Sequence, residues 1–447
     1  MNKRVFNMFQ VLCVLLLGTI STTLATSTKI RGPVARHLKE APSRVYSGSC
    51  VSDTTAFNGK LYWRCDDGIG GAPGVELFEY DGTNAPKWLT TGNIFPSNLI
   101  VFNNKLYFQA IDFSNGIRRE WWVYDGINPP AVELSLETFS ATDPGSVAVF
   151  NGKLVFSGRI PNSIGAYDLW EYDGVSARRW DTVAGPQLLT VFNGKLYFKT
   201  VTSSENLWAY DGVNAPTLAA GYPAGFLKFS AMVVFNNKLL LWAVRSNGGF
   251  SDYEPWEYDG VNAPTLVADI NPGTGGGCGS LCISTSRPTF MVFNSKAYFK
   301  GYDGIREGLW VYDGTNAPSL VSSTVVPLNQ VDSYGVFEGC LFFNANDRLY
   351  RYDGVDDLVL LSAADRNPGF FVTLNGKLYF RTTGTQQQQP GLWVLNGSTS
   401  TGTPAPTSSA NAPTASPTTA CPTDSCSERI RRWVVNAASS VQALFAF

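Results

Sequence analysis

The sequence predicts an all-β fold, an eight-bladed β-propeller built from four-stranded antiparallel blades, with seven blades as the alternative. Three observations predict it. A segment of the form Phe-Asn-Gly-Lys recurs in eight copies at a spacing of roughly 44 residues, a period typical of propeller blades. Each copy is followed by a segment that ends in Asp-Gly, or in Asn396-Gly397 in the last copy. Two aromatic residues stand at fixed distances before that pair in almost every copy.

The start of the chain predicts export. Residues 1–25 combine the basic residues Lys3 and Arg4, a short apolar run and small residues up to Ala25, which is the pattern of a secretory signal peptide. The apolar run is too short for a membrane-spanning helix. We therefore expect a secreted or cell-surface protein, with residues 26–44 as a propeptide-like linker and residues 45–397 as the propeller.

Each repeat has the sequence of one blade. In Val191–Phe198, two apolar runs flank Asn193-Gly194, a pair that suits a type I′ hairpin turn because both residues tolerate positive φ. Leu207–Tyr210 alternates as a third strand, and Thr217-Leu218 starts a fourth, shorter one. The last copy has no fourth strand. We expect the spare segment Ser43–Ser47 to pair with residues 392–395 there and close the ring, since a blade without its outer strand exposes an unpaired edge.

The repeated aromatic residues predict packing between blades. Residues two apart share one face of a strand, and eight equivalent rings suit a repeated interface better than a single sugar-stacking platform. The first position holds Phe78, Trp122, Trp170, Trp208, Trp256, Trp310, Tyr350 and Trp393. The second position holds Tyr80, Tyr124, Tyr172, Tyr210, Tyr258, Tyr312, Tyr352 and Leu395.

These segments resemble the ELW-x-x-DGT repeat family of large secreted and surface proteins and, more distantly, the kelch repeats. The resemblance rests on Phe-Asn-Gly-Lys-Leu-Tyr-Phe, on Leu-Trp-Val-Tyr-Asp-Gly-Thr at 309–315, and on residues 266–273. It covers residues 50 to 397. It implies a propeller-like scaffold and no single chemistry.

The composition of the chain excludes several classes of function. A formal net charge of -2 and 16% charged residues predict no nucleic-acid partner. The single histidine, His37, precedes the first repeat, which excludes Ser-His and Cys-His catalysis and histidine-rich metal sites, including that of a kelch-type copper oxidase. The Asp-Gly-x-Asn segments are interpreted as Asx turns and not as calcium loops, because Ala-Pro follows instead of further oxygen ligands. We expect no cofactor and no metal.

Binding residues are predicted between the second and third strands of the blades, because variable loops on a rigid scaffold usually carry binding. The candidate ligand-binding residues are Asp112, Arg118, Arg119, Arg159, Tyr167, Arg245, Tyr253, Tyr302 and Arg306. Carboxylates that could serve a glycosidase or lyase lie in the same regions. They are Asp66, Asp67, Asp112, Asp252, Glu254, Asp303 and Glu307.

Cysteines and the chain end add modification sites. In an oxidising compartment neighbouring cysteines are expected to pair, as Cys50 with Cys65, Cys278 with Cys282 and Cys421 with Cys426, leaving Cys340. Asn396-Gly397-Ser398 is an N-glycosylation sequon. Residues 398–420 predict an O-glycosylated Ser/Thr/Pro-rich stalk. Residues 421–447 fit either a short amphipathic helix or a lipid-anchor signal, which would attach the protein to a membrane or wall.

Three functions remain open on the sequence alone. The favoured one is a non-catalytic secreted or surface propeller that binds an extracellular glycan or protein, in adhesion or in a matrix. The alternatives are a secreted carbohydrate-active hydrolase or lyase that uses loop carboxylates, and a structural cell-wall component.

Overall fold

The structure is a computed structural model. It describes residues 41–48, 50–66, 74–112, 118–133, 136, 139–140, 147–159, 167–200, 207–219, 226–247, 250–272, 290–321, 333–355, 358–362, 367–383 and 390–397. All the regular structure in these ranges is β-strand. No helix in them is long and apolar enough to cross a membrane. The predicted signal peptide, stalk and tail lie outside the described residues.

The first four blades follow the order of the chain, after an initial strand β1 (Ser43–Ser47). Blade one contains β2 (Cys50–Phe57), β3 (Lys60–Asp66), β4 (Val75–Tyr80) and β5 (Lys87–Trp88). Blade two contains β6 (Ser97–Phe102), β7 (Lys105–Asp112), β8 (Arg118–Tyr124) and β9 (Ala131–Val132). Blade three contains β10 (Phe139–Ser140), β11 (Val147–Phe150), β12 (Lys153–Arg159), β13 (Asp168–Tyr172) and β14 (Ala177–Trp180). Blade four contains β15 (Gln187–Phe192), β16 (Lys195–Lys199), β17 (Leu207–Tyr210) and β18 (Thr217–Leu218).

The last four blades repeat this arrangement. Blade five contains β19 (Phe226–Phe235), β20 (Lys238–Asn247), β21 (Phe250–Tyr258) and β22 (Thr265–Leu266). Blade six contains β23 (Met291–Phe293), β24 (Lys296–Tyr302), β25 (Glu307–Tyr312) and β26 (Ser319–Leu320). Blade seven contains β27 (Tyr334–Phe337), β28 (Cys340–Ala345), β29 (Arg348–Tyr352) and β30 (Val359–Ser362). Blade eight contains β31 (Gly369–Leu374), β32 (Lys377–Thr382) and β33 (Gly391–Asn396).

The predicted hairpin turns are present between the first and second strands. Phe192 pairs with Lys195, and between them Asn193 and Gly194 have φ values of 44° and 70°. Both values lie in the left-handed region that a type I′ turn requires. The turn matches the right-handed twist of the two strands, so each hairpin enters its blade in register.

The ring is closed by packing between every pair of neighbouring blades. Eight buried clusters, one at each boundary, contain side chains from both blades. The boundary between blades eight and one joins Leu61 and Trp63 to Leu374 and Tyr379. The eight-bladed prediction is confirmed, and the seven-bladed alternative is wrong.

The predicted role of the aromatic positions is also confirmed. Trp256 of blade five packs with Phe192 and Tyr197 of blade four, and the equivalent residue of each other blade packs against the blade before it. These rings are therefore part of the blade boundaries and are not arranged as an exposed sugar-binding platform.

Strand β1 completes blade eight. Ser43 pairs with Val394 and Ser47 with Gly391, antiparallel, so the sheet order is β1-β33-β32-β31. The Tyr46 ring centroid lies 5.1 Å from that of Phe78 in blade one. The closure predicted from the sequence is confirmed, and the propeller begins at Ser43, two residues before the predicted boundary.

Two blades differ from the repeat. In blade three, β10 and β11 both pair with β12, which makes that sheet five-stranded. In blade five, the first three strands are 10, 10 and 9 residues long, longer than those of the other blades. The pairing of Arg245 with Asp252 and of Asn247 with Phe250 shows that the extra length lies at the end opposite the Asn236-Asn237 turn.

Candidate functional site

The antiparallel blades give the ring two chemically different faces. The turn face, as we name it, carries the Asn-Gly turns and the Asp-Gly turns. The loop face carries the connections between second and third strands and the connections between blades. Strand β33 runs towards the turn face and ends there at Asn396, and the antiparallel β1 begins there at Ser43. The two ends of the described ring, at residues 43 and 396, therefore both lie at the turn face.

On the turn face, each Asp-Gly turn lies against the Asn-Gly turn of the preceding blade. A Cβ atom built on Gly126 of blade two would lie 2.6 Å from Asn58 Nδ2 and 3.5 Å from Phe57 Cε1 of blade one. Asn236 Nδ2 donates to the Asp313 carbonyl of the next blade at 3.3 Å. The glycines with such a neighbour in the preceding blade are Gly82, Gly126, Gly174, Gly212, Gly260, Gly314, Gly354 and Gly397. The two repeated motifs are thus partners across blade boundaries.

At the boundary between blades seven and eight, the acidic side chain and the amide side chain have exchanged positions. Elsewhere an asparagine faces a turn that begins with aspartate. Here Glu338 replaces the asparagine and Asn396 replaces the aspartate, and a Cβ on Gly397 would lie 2.6 Å from Glu338 Oε1. Each boundary therefore pairs one acidic side chain with one amide side chain, and no carboxylate faces another carboxylate at these positions.

The Asp-Gly-x-Asn segments are Asx turns, as the sequence predicts. Asp81 Oδ1 accepts the N–H groups of Thr83 and Asn84 at 2.8 Å, and Oδ2 accepts from Asn84 Nδ2 at 2.6 Å. The hydrogen bonds from Asn84, first among them, lower the pKa of Asp81 to about 2. These bonds use both carboxylate oxygens. Among the described residues, no three or more His, Cys, Asp or Glu side chains form a group that could hold a metal ion.

The tips of these turns expose aliphatic side chains. In five of them the residue after the glycine is valine or isoleucine, with 71 to 87% of its surface exposed. These residues are Ile127, Val175, Val213, Val261 and Val355. Blades one and six carry Thr83 and Thr315 at this position. The turn face therefore carries aliphatic tips on five blades, beside carboxylates that are already hydrogen-bonded.

Buried carboxylates join alternate pairs of blades near the turn face. Glu79 accepts from Lys60 Nζ at 2.9 Å, from the Tyr62 hydroxyl at 2.8 Å and from the Tyr124 hydroxyl of blade two at 3.3 Å. Burial disfavours the charged carboxylate, but the bonds from Lys60, Tyr62 and Lys87 outweigh it and lower the pKa of Glu79. Glu171 and Glu257 accept from Tyr210 and Tyr312 in the same way. These carboxylates stabilise the ring; the side chains of Glu79 and Glu171 are almost fully buried, and that of Glu257 is 22% exposed.

The predicted ligand-binding residues lie towards the loop face, mostly in strand ends and not in the loop itself. Asp112 pairs with Arg118, Arg245 pairs with Asp252, Arg159 pairs with Phe139, and Tyr253 pairs with Val244. The expectation that all of them lie in loops is wrong, because hairpin pairing continues past the apolar core. The side chains of Asp66, Asp112, Arg118, Arg159, Arg245 and Asp252, and all of Asp67, lie outside the described residues.

The structure brings together only one set of the described candidates. The Arg306 guanidinium binds Asp303 Oδ2 at 2.7 Å, and Asp303 Oδ1 accepts the Ile305 N–H at 3.0 Å. The Tyr302 hydroxyl donates to the Gly304 carbonyl at 2.7 Å. These residues form a compact Asx turn on the loop face. Arg119 donates to Ser97 Oγ in blade two, Tyr253 packs against the cluster between blades five and six, and the Tyr167 carbonyl accepts the Gly185 N–H.

The described carboxylates of the catalytic alternative have internal partners. Glu254 is fully buried and accepts the Ile270 N–H at 2.9 Å and the Asn271 N–H at 3.3 Å, so it holds a blade-to-blade connection. Glu307 pairs with Lys300 at 2.5 Å. For Asp303, burial would raise the pKa, but the bonds from Arg306 outweigh it and lower that pKa. A general acid needs the opposite shift.

Sequence reasoning missed the structural role of the first residue of the Glu-Leu-Trp motif. Glu76 stands five residues before Asp81, as Glu254 stands before Asp259. Its carboxylate accepts the Asn93 N–H at 2.5 Å and the Thr90 hydroxyl at 2.7 Å, again in a blade-to-blade connection. The shared position could have revealed this role. The sequence carries no comparable signal for the long strands of blade five.

Three of the cysteines and the sequon asparagine lie among the described residues. Cys65 is disulfide-bonded and Cys50 is directly opposite it, because an irregularity in β2 shifts the register. Cys340 is a free, half-buried thiol. Asn396 is half-buried at the end of β33, opposite Lys377. Cys278, Cys282, Cys421 and Cys426 lie outside the described residues.

No protein-family model and no curated protein matches the chain. The β-propeller domain of the Trilobed protease from Pyrococcus furiosus is similar at 12% identity and a TM-score of 0.45, over 71% of this chain and 97% of that chain.

Two further solved structures are similar over part of their length. Pyrococcus horikoshii acylaminoacyl peptidase shows 11% identity and a TM-score of 0.45, over 75% of this chain and 58% of that chain. The extracellular domain of a hybrid two-component system from B. thetaiotaomicron shows 10% identity and a TM-score of 0.44, over 79% and 39%. This chain thus spans less than two thirds of either protein, and these likenesses carry no inference about activity.

Proposed function

We propose that this chain is a non-catalytic extracellular binding propeller that holds a glycan or protein partner on its loop face. Export rests on the signal-like residues 1–25, and relationship to the ELW-x-x-DGT repeat family rests on the repeated motifs. The scaffold itself is an eight-bladed propeller, a fold that serves many functions.

The observation that carries this proposal is that the described carboxylates near the loop face already have partners within the chain. Glu254 and Glu76 accept hydrogen bonds from backbone N–H groups. Glu307 forms an ion pair with Lys300, and Asp303 forms one with Arg306. Acid–base hydrolysis of a glycoside needs two carboxyl groups that face one bond and differ in pKa. The described residues offer no such pair, which favours binding over hydrolysis.

The position of the chain ends favours the loop face as the binding surface. Both ends join the ring at the turn face, so a stalk that attaches the protein to a surface would leave the loop face pointing away from it. The long strands of blade five project from that loop face. Exposed segments on a rigid scaffold are the usual location of binding sites.

A glycan array and surface cross-linking of the full chain test this proposal. We expect a bound glycan, or cross-links to one cell-surface or matrix protein, and loss of that signal in the loop-face variants Arg245→Ala and Phe250→Ala. The matched control is Val261→Thr, which alters the turn face of the same blade and should bind as the unmodified chain does.

Three results would overturn the proposal. If the loop-face variants bind normally, the site lies elsewhere. If array glycans are shortened, and Glu307→Gln or Asp303→Asn stops the shortening, the chain is a carbohydrate-active enzyme. Absence of any ligand together with insoluble incorporation into the wall would support the structural alternative.

A further inference from the structure

The aliphatic tips of the turn face are not required by the turns that carry them. In the Asx turn of blade five, the Asp259 carboxylate accepts the backbone N–H groups of Val261 and Asn262 and the side-chain amide of Asn262, whereas the Val261 side chain is 80% exposed. Thr83 and Thr315 occupy the same position in blades one and six. Isolated exposed apolar residues are ordinary, but Ile127, Val175, Val213 and Val261 repeat on four consecutive blades of one face.

The chain leaves the ring on this same face. The Gly397 N–H donates to the Gly376 carbonyl at 3.3 Å, beside the Asn375-Gly376 turn. From there, residues 398–428 precede the apolar end of the chain. At about 3 Å per residue, a Pro-rich linker of this length can extend roughly 90 Å. A ring of this size has a radius of gyration of roughly 20 Å. The end of the chain can therefore reach every turn of the face.

The chemistry of the chain end matches that of the tips. Residues 433–447 contain no charged residue, and Trp433, Val434, Val441, Leu444 and Phe445 fall on one stripe of a helical pattern. Arg429, Arg431 and Arg432 directly precede this stripe. On the turn face, each aliphatic tip stands two residues after the aspartate of its turn, such as Asp211 before Val213. Apolar residues flanked by arginines are thus complementary to aliphatic tips flanked by carboxylates.

We propose that residues 429–447 dock on the aliphatic tips of blades two to five in the same molecule. The C-terminal segment would then cover the turn face, and the loop face would remain open. Tethering favours this contact over one between molecules, because a linker that can span the distance makes docking an intramolecular event.

Photo-cross-linking of the full chain tests the proposal, with p-benzoylphenylalanine in place of Phe445. We expect cross-links within one molecule to peptides that contain Val175, Val213 or Val261. Combined Ile127→Thr, Val175→Thr, Val213→Thr and Val261→Thr should reduce their yield about tenfold, because these apolar contacts are the anchors of the interface. Threonine already occupies this position in blades one and six, so the ring should fold.

Ile305→Thr is the matched control. Ile305 is 88% exposed at the tip of an equivalent Asx turn, but on the loop face. Its replacement should leave the cross-link yield unchanged. The cross-linking is repeated with phosphatidylcholine vesicles present. Four results would each overturn the proposal: an unchanged yield in the quadruple variant, cross-links only between two copies, cross-links only to the vesicle lipid, or an intact mass showing that the mature protein lacks residues 429–447.

Discussion

Gly126 of blade two lies against Asn58 of blade one, where a Cβ atom on the glycine would be 2.6 Å from the Asn58 amide nitrogen. Equivalent contacts recur at every blade boundary, including that between blades eight and one, where Gly82 faces Asn375 and Tyr379. The two halves of the sequence repeat therefore act together across a boundary, although they stand far apart within one blade.

Replacement of Gly126 by alanine should destabilise the ring more than replacement of Gly59. Both glycines have positive φ, 90° and 71°, so both variants lose about 1 to 2 kcal/mol through backbone strain. Only the Cβ at Gly126 meets a neighbour, whereas the space around Gly59 is open. Urea unfolding should show the extra loss at Gly126, and Asn58→Gly should recover part of it. Equal losses in the two variants would contradict this account.

Tyr46→Ala should open the closing sheet. The Tyr46 ring lies 5.1 Å from Phe78 and 6.4 Å from Trp63, and its strand covers the edge of β33. We expect a loss of about 2 to 4 kcal/mol, as for truncation of a partly buried aromatic residue. Hydrogen exchange should accelerate at amides of Gly391–Asn396 before it does in blade four. A melting temperature and exchange pattern equal to those of the unmodified chain would show that β1 does not close the ring.

Trp256→Ala should lower stability by about 3 to 5 kcal/mol, because it leaves a cavity between blades four and five. Trp88→Ala is the control, since Trp88 lies on an outer strand and is 46% exposed, against 6% for Trp256. Thermal melting of both variants measures the difference. If Trp256→Ala melts normally yet loses ligand binding, these rings are binding platforms after all.

The Glu79 carboxylate should make stability depend on acid pH. Its pKa is lowered in the folded chain, so its contribution is complete above the unfolded pKa of roughly 4.5 and is lost as pH falls through the folded pKa. Glu79→Gln should therefore destabilise the protein at pH 7 and reduce the further loss between about pH 5 and pH 3.

Lysine variants provide the control for this prediction. Lys60→Met removes a partner of Glu79 and should reproduce part of the effect. Lys105 occupies the equivalent place in blade two, where Val123 replaces the glutamate, and it forms no ion pair with the described residues. Lys105→Met should leave the pH profile of unfolding unchanged. Parallel profiles for all the variants would exclude a role for Glu79 in acid stability.

Cys50 should be bonded to Cys65. The two residues are cross-strand partners, and Cys65 is disulfide-bonded. Non-reducing peptide mapping of the full chain should recover one peptide pair containing both, with Cys340 alkylated as a free thiol. Recovery of Cys65 linked to Cys278 or Cys340 would refute the pairing.

The repeat by itself determined the number of blades, the hairpin turns and the closing strand. These features depend on local chemistry: Asn193-Gly194 permits the positive φ of the turn, alternating aromatic residues give one apolar face per strand, and the last copy lacks a partner that Ser43–Ser47 can supply. The same local chemistry identified the Asx turns, since Asp81, Thr83 and Asn84 are neighbours in the chain.

Only the tertiary structure decided which residues are occupied by partners from distant parts of the chain. The sequence suggests that Glu254 is a free loop carboxylate, yet strand pairing extends past it and places it against the amides of Ile270 and Asn271. Likewise the contact of Gly126 with Asn58 appears only when blades stand side by side. The repeat determines the local structure of each blade. The partners of a buried polar side chain are instead set by residues distant in the sequence, because a buried polar group forms its hydrogen bonds with whatever groups the fold places around it.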